Sequence, residues 1–220
     1  MKRFQKVILT TLFVVISSSI TFAQFSSVGI KGGLNLSKLD YKDDLQGYDF
    51  TFRQGMNLGL FTEYNLSNDL LIYAEAIYSM RGTEYGLEEF TLGGITVPAH
   101  KFIQKLDYLE IPLMIRYNFL LDSKLTPNVF LGPVASFLLN EKIELIEEDI
   151  SKGEVGQEDQ IKSTEFGIIL GIGADYSLPS GKIVFDIRYH YGLTNVNNVE
   201  QGSKINSSTI SFNIGYGFNL

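Results

Sequence analysis

The chain has 220 residues, 45% hydrophobic and 20% charged, which excludes a disordered or low-complexity polymer. It has no cysteine, so disulfide scaffolds, thiol catalysis and cysteine-held zinc or iron–sulfur sites are excluded. A formal charge of -7 offers no basic face to neutralise phosphates, so nucleic acid is not an expected partner.

The chain opens Met1-Lys2-Arg3-Phe4-Gln5-Lys6, turns apolar from Val7 to Ile16, and reaches small residues at Thr21 and Ala23. A basic start, a short apolar centre and a small-residue site form the secretory leader pattern, with residues 1–23 removed and Gln24 as the mature start. The apolar run is shorter than the roughly 20 residues of a spanning helix. No cysteine follows the cut, so no lipid anchor is expected. Three basic residues leave with the leader, so the remainder, 24–220, carries 15 basic against 25 acidic residues.

Beyond Gln24 the apolar residues recur with period two, the spacing of strands. Eight segments are predicted: 28–37, 53–65, 70–82, 106–119, 128–139, 163–177, 182–193 and 207–219. The last shows the pattern plainly. Ile210, Phe212, Ile214, Tyr216 and Phe218 alternate with Thr209, Ser211, Asn213, Gly215 and Gly217. Connections after the second, fourth and sixth segments are short (Leu66–Asp69, Leu120–Pro127, Leu178–Gly181), and the other four are read as polar loops of about 13 to 23 residues.

Charges and glycines share one face of these segments, whereas Ile, Leu, Phe and Tyr occupy the other. A water-soluble antiparallel sheet keeps its charged face outside. Charge turned inward with an apolar exterior is the signature of a transmembrane β-barrel, closed because lipid tolerates no open edge. The fold class is therefore all-β, an eight-stranded antiparallel outer-membrane barrel with short periplasmic turns and long extracellular loops. Tyr64, Tyr78, Tyr117, Tyr176, Tyr191 and Phe218 fit its interfacial girdles.

An eight-stranded barrel is only just wide enough for side chains to fill. The inward list holds Lys31, Glu63, Glu75, Glu110, Arg116, Asp175, Asp186, Arg188 and His190. Lys31 is expected opposite Glu63, Arg116 near Glu75, and Asp175 near Asp186 with Arg188 or another cation between them. Such charges must be paired, which reads as a structural network plugging the lumen; the alternative is a narrow channel lined with charge. Keeping Glu63 and Glu75 both inside requires an odd number of residues, or a bulge, in the turn after Leu66.

Other chemistry is sparse. His100 is expected in the loop after the third segment, and His190 inside the seventh. Ser79 or Ser136 would have to meet His190 for a lipid-modifying hydrolase, and nothing in the spacing joins them. Gly171-Ile172-Gly173 lacks the helix of a dinucleotide fingerprint, and Ser180-Gly181-Lys182 reads as a hairpin turn. The stretch 140–162 has eight acidic and three basic residues. It reads as a solvated loop, although carboxylates there suit divalent cations shared with an anionic outer leaflet. No catalytic, cofactor or metal residue is assigned.

Three stretches carry a family resemblance: Gly29-Ile30-Lys31-Gly32-Gly33-Leu34-Asn35-Leu36-Ser37, Ala74-Glu75-Ala76-Ile77-Tyr78-Ser79-Met80-Arg81-Gly82, and Tyr108-Leu109-Glu110-Ile111-Pro112-Leu113-Met114-Ile115-Arg116-Tyr117. Together they resemble the PorT-like outer-membrane β-barrel family, porin-family proteins of Gram-negative bacteria. The resemblance implies a barrel in the cell outer membrane, no catalytic residues, and, through the namesake, a link to protein secretion. Many outer-membrane barrels end on Phe for the barrel assembly machinery; this chain departs from that with Phe218-Asn219-Leu220. Expected partners are outer-membrane lipid and lipopolysaccharide, the assembly machinery, and a protein met through the extracellular loops. Besides the narrow porin, a soluble ligand-binding barrel with its apolar face inside and a lipid-modifying enzyme are the competing readings.

Overall fold

The alternation of the sequence becomes eight long strands: β1 (Phe25–Tyr41), β2 (Tyr48–Asn65), β3 (Leu70–Leu87), β4 (His100–Asn118), β5 (Leu125–Glu147), β6 (Thr164–Leu178), β7 (Gly181–Gly192) and β8 (Ile205–Asn219). The computed structural model describes residues 25–41, 48–87, 90–92, 95–97, 100–121, 123–147, 150–154, 161–198 and 204–220. The segment expected to be a leader, 1–23, lies outside the described residues. Each strand pairs antiparallel with its successor, and β8 returns to β1 from Ser27↔Asn219 to Tyr41↔Ile205. The sheet is thus a closed up-and-down ring with no edge inside the membrane.

Burial settles which face is which. Met56 and Leu58 are 61% and 66% exposed, whereas Lys31 and Glu63 are each 1% exposed. Apolar side chains point out and charged ones in, so a soluble barrel with an apolar cavity is not this structure. Among the described residues no helix is long and apolar enough to cross a membrane; the strands do the crossing. Tyr117, Tyr176 and Phe218 stand exposed on the outer wall at strand ends, where Tyr117 meets Phe119 and Tyr216 meets Phe218 edge-on at 5.1 and 4.9 Å. Tyr78 is exposed further along β3, and Tyr64 and Tyr191 are half-buried.

All eight predicted segments are present, and six of them, all but β6 and β7, run further on the loop side than expected. β1 continues to Tyr41, β3 to Leu87 and β5 to Glu147, and His100 is the first residue of β4 rather than a loop residue. Above the membrane both faces of a strand are wet, so these extensions lack the apolar half of the pattern. A short hairpin (Phe90–Leu92 with Ile95–Val97) and a strand Ile150–Glu154 beside the end of β5 add to this extension.

Register explains how the charges enter. Asn65 pairs with Leu71, enclosing five residues, an odd number, so Glu63 and Glu75 both face inward. Gly82 has a φ of 140°, and a Cβ there would run into the Gln104 carbonyl; only glycine fits. A bulge in β5 places Tyr108 opposite Leu138 and Asp107 opposite Asn140, leaving Leu139 as the extra residue.

Candidate functional site

Among the described residues, buried charged side chains converge in the lumen, in three tiers. At the short-turn end, Arg116 reaches Glu63 at 3.1 Å and Asp175 at 2.5 Å, and Lys182 reaches the same two carboxylates at 2.5 and 2.8 Å. Ser27 donates to Glu63, and Asn128 to Asp175. In the middle, Lys31 bonds Glu75 at 2.8 Å and Asp186 at 2.5 Å. Arg188 grips the same pair, with Nη1 on Glu75 at 2.6 Å and Nε on Asp186 at 2.9 Å. In the third tier Arg81 donates Nε to Glu110 at 2.7 Å and Nη1 to Glu165 at 3.2 Å, while Ser207 donates to Glu165.

Two cations face two carboxylates in each of the first two tiers, and one faces two in the third. Aromatic rings complete the shell. Arg116 and Lys31 lie over Tyr73 at 5.2 and 5.4 Å, Arg188 over Phe130 at 5.2 Å, and Arg81 over Tyr108 at 5.1 Å. A cation held between carboxylates and a π-face is attracted by both. The interior is therefore more apolar than the alternation suggested: Phe61, Leu71, Tyr73, Met114, Phe130, Val134, Ile169 and Val184 form a buried cluster among the charges.

All eight acids and bases named from the sequence, and His190, lie buried in the lumen, but the expected partners differ. Lys31 sits opposite Gly59 rather than Glu63, and its side chain crosses the lumen to Asp186 on β7. Arg116 serves Glu63 and Asp175, not Glu75. Asp175 and Asp186 occupy different tiers, and Arg188 bonds only the second. Barrel stagger shifts each strand along its neighbour, so order along the chain does not give height along the axis.

Sequence reasoning missed Arg81, Glu165 and Lys182, although Arg81 stands in phase with Glu75, and Glu165 with Asp175. It also missed the bracing of the space between tiers. There Asn35 donates to Ser79 at 3.0 Å and accepts from Asn57 and Ser211, both at 2.8 Å. Arg81 donates to His190 Nδ1, so the neutral imidazole carries its proton on Nε2, which lies against Gly167 with no partner among the described residues. Ser79 is taken by Asn35, and Ser136 accepts from Arg81 at 3.4 Å; among the described residues neither hydroxyl is bonded to the imidazole.

At the loop end the lumen closes on a second apolar cluster of Leu39, Leu106, Tyr108, Ile161, Val196 and Ile205. Ile161 and Val196 come from outside the strands and fold inward over the mouth. Beneath them Glu141 accepts from Gln104 Nε2 at 2.9 Å and from the Ile161 amide at 3.2 Å. No group of three or more His, Asp or Glu able to hold a metal ion occurs among the described residues. Part of the acidic stretch 140–162 lies outside them.

The family model for the outer membrane protein beta-barrel domain matches residues 22–198. No curated protein matches the chain. Among solved structures, the outer membrane protein OprG of Pseudomonas aeruginosa is similar at 16% identity, covering 90% of this chain and 98% of that one, with a TM-score of 0.49. Neisserial surface protein A is similar at 16% identity over 87% and 97%, TM-score 0.44. Ail, the attachment invasion locus protein of Yersinia pestis, is similar at 16% identity over 88% and 99%, TM-score 0.41. These likenesses concern the path of the chain alone.

Proposed function

Because the chain belongs to the outer membrane protein beta-barrel domain family, we propose that it is an outer-membrane barrel with a side-chain-filled lumen, acting through its loop-side extension on a protein partner. The observation that carries this reading is the three-tier network, whose members come from all eight strands. Tiers of paired charge and the apolar cluster at the mouth stand in series along the axis. A solute would have to break several buried ion pairs to pass, at several kcal/mol each. A wall braced in this way is a rigid base for the strands that continue beyond the membrane, and lipopolysaccharide and the barrel assembly machinery are its natural surroundings. The PorT-like motifs favour a component of a protein secretion system as the partner.

A narrow porin and a lipid-modifying enzyme are the competing readings. The first is opposed by the tiers, and the second by Ser79 and Ser136, which are engaged away from His190. Planar-bilayer recording tests the first: the purified barrel is expected to leave the baseline conductance of the bare bilayer, and discrete ohmic steps would overturn the filled lumen. A photo-crosslinking residue at Lys101 or Lys142 should capture a protein in intact cells, whereas one at Leu113, on the lipid face, should not. Equal labelling at all three positions would overturn the interaction role.

A further inference from the structure

Between β5 and β6 the pairing of the described strands stops partway up the wall. Their pairing runs from Leu125↔Tyr176 to Phe137↔Thr164 and ends on the bond from the Leu138 amide to the Ser163 carbonyl, 2.8 Å. The chain just before β6 then turns across the mouth: Ile161 bridges to Asn197, and the Lys162 amide bonds the Val196 carbonyl. β5 continues upward, and among the described residues the next pairing on that side is Glu144↔Glu154. The bulge at Leu139 bends β5 at the same height. Together these leave a cleft of ≈ 580 Å³ in the wall.

The cleft straddles the rim of the apolar band. Phe137 and Leu139 on β5 and Phe166 on β6 are exposed apolar residues, and Asn140, Lys162, Ser163 and Thr164 follow directly around the opening. Glu141, on the inner side, is already satisfied by Gln104 and the Ile161 amide. The Lys162 ammonium has three donors, one of them used by the Asn195 carbonyl at 3.1 Å. An anion would be drawn to Lys162 and kept from going deeper by Glu141.

We propose that this cleft binds the headgroup of an outer-leaflet amphiphile that carries a phosphate beside free hydroxyls. The phosphate sits at Lys162, the hydroxyls meet Ser163, Thr164 and Asn140, and the acyl chain lies along Phe137, Leu139 and Phe166. The proposal rests on the outer-membrane reading and names a lipid class for one place on that barrel.

The chain has no tryptophan, so Leu139→Trp gives a single reporter at the cleft, and Met56→Trp gives one on the lipid face three strands away. Each folded barrel, checked by heat-modifiable migration, is placed in vesicles containing either dibrominated phosphatidylglycerol or dibrominated phosphatidylcholine. Should Leu139→Trp not fold, Phe166→Trp reports from the other lip. At the cleft, the glycerol lipid should half-quench at about fivefold lower mole fraction than the choline lipid. Lys162→Gln should remove that preference, and Met56→Trp should show none. Equal curves at the cleft, the same preference at Met56→Trp, or a preference untouched by Lys162→Gln would overturn the site. If added glycerol 3-phosphate abolishes the preference, the cleft takes a soluble phosphate and the lipid assignment is overturned. Absence of quenching by either lipid at either position would overturn the membrane reading itself, a different failure.

Discussion

Replacing Lys31 by Met tests the filled lumen most directly. The Lys31 ammonium lies 2.8 Å from Glu75 and 2.5 Å from Asp186, and the Lys31 and Glu75 side chains expose no surface. At an effective dielectric of about 20, each contact supplies about 6 kcal/mol of attraction, most of it offset by stripping water from the ions. Lys31→Met keeps the length of the side chain but leaves two carboxylates facing Arg188 alone. Loss of one partner of a buried pair costs about 3–5 kcal/mol. Arg188 still bonds both acids, at 2.6 to 3.1 Å, so about 3 kcal/mol is expected. Urea titration of the barrel in phosphocholine vesicles, read by gel migration without boiling, gives the number. Lys31→Met with Asp186→Asn restores one cation to one carboxylate and should recover more than half the loss. A single-variant cost below about 1 kcal/mol, the range of a solvated surface pair, would mean that the lumen is wet and the reasoning wrong.

Three further outcomes follow from the same geometry. Leu113→Arg places a charge on the lipid face and should cost about 2–4 kcal/mol in the same titration, well above Leu113→Ser. Gly171→Val would drive a Cβ into the Phe130 ring, which covers Arg188 at 5.2 Å; a sharply reduced yield of heat-modifiable barrel is expected. In the exposed turn after β2, the Ser67 hydroxyl donates to Asp69 at 2.7 Å and holds that carboxyl below its ordinary range. With the folded value below the unfolded one, this contribution is present above the unfolded value and lost as pH falls through the folded one. Ser67→Ala should move the Asp69 carboxyl titration upward by carbon NMR, and an unmoved curve would remove the hydroxyl as the cause.

Which residues face the lumen was legible because a strand has only two faces, and a lipid-facing strand cannot hide a charge on the outer one. That is why Lys31, Glu63 and Asp186 could be placed inside from the sequence, and why the outer wall of Leu58, Leu113 and Ile214 followed. Partners were not legible. Lys31 bonds an acid 155 residues away, a distance set by barrel stagger and side-chain reach rather than by neighbouring strands. Arg81 carried the right phase but stood beside Gly82, which reads as the end of a strand until its left-handed φ shows a bend within one. Ile161 and Val196 left no trace at all, since each is a single apolar residue in a polar stretch and neither belongs to a repeating pattern.

The same physics that closes the lumen places the chemistry that remains at the rim. In the first two tiers each cation is matched by a carboxylate, and all four lumen cations other than Lys182 also meet a ring face, so little capacity is left for a ligand inside. The lipid face in turn offers only apolar contact, which cannot distinguish one acyl chain from another. Selectivity therefore needs a place where the ring of hydrogen bonds is interrupted and polar side chains reach the membrane boundary. Among the described residues the seam above Phe137↔Thr164 is such a place, where Ile161, just before β6, packs into the mouth cluster. On the proposed reading, filling the mouth and opening the wall are one event in the packing. A substitution that releases Ile161, such as Val196→Asp, should loosen both together: it should weaken the lipid preference at position 139 while leaving the three charged tiers, and hence the conductance, unchanged. Loss of the preference together with the appearance of conductance steps would show that the mouth cluster, rather than the tiers, closes the barrel.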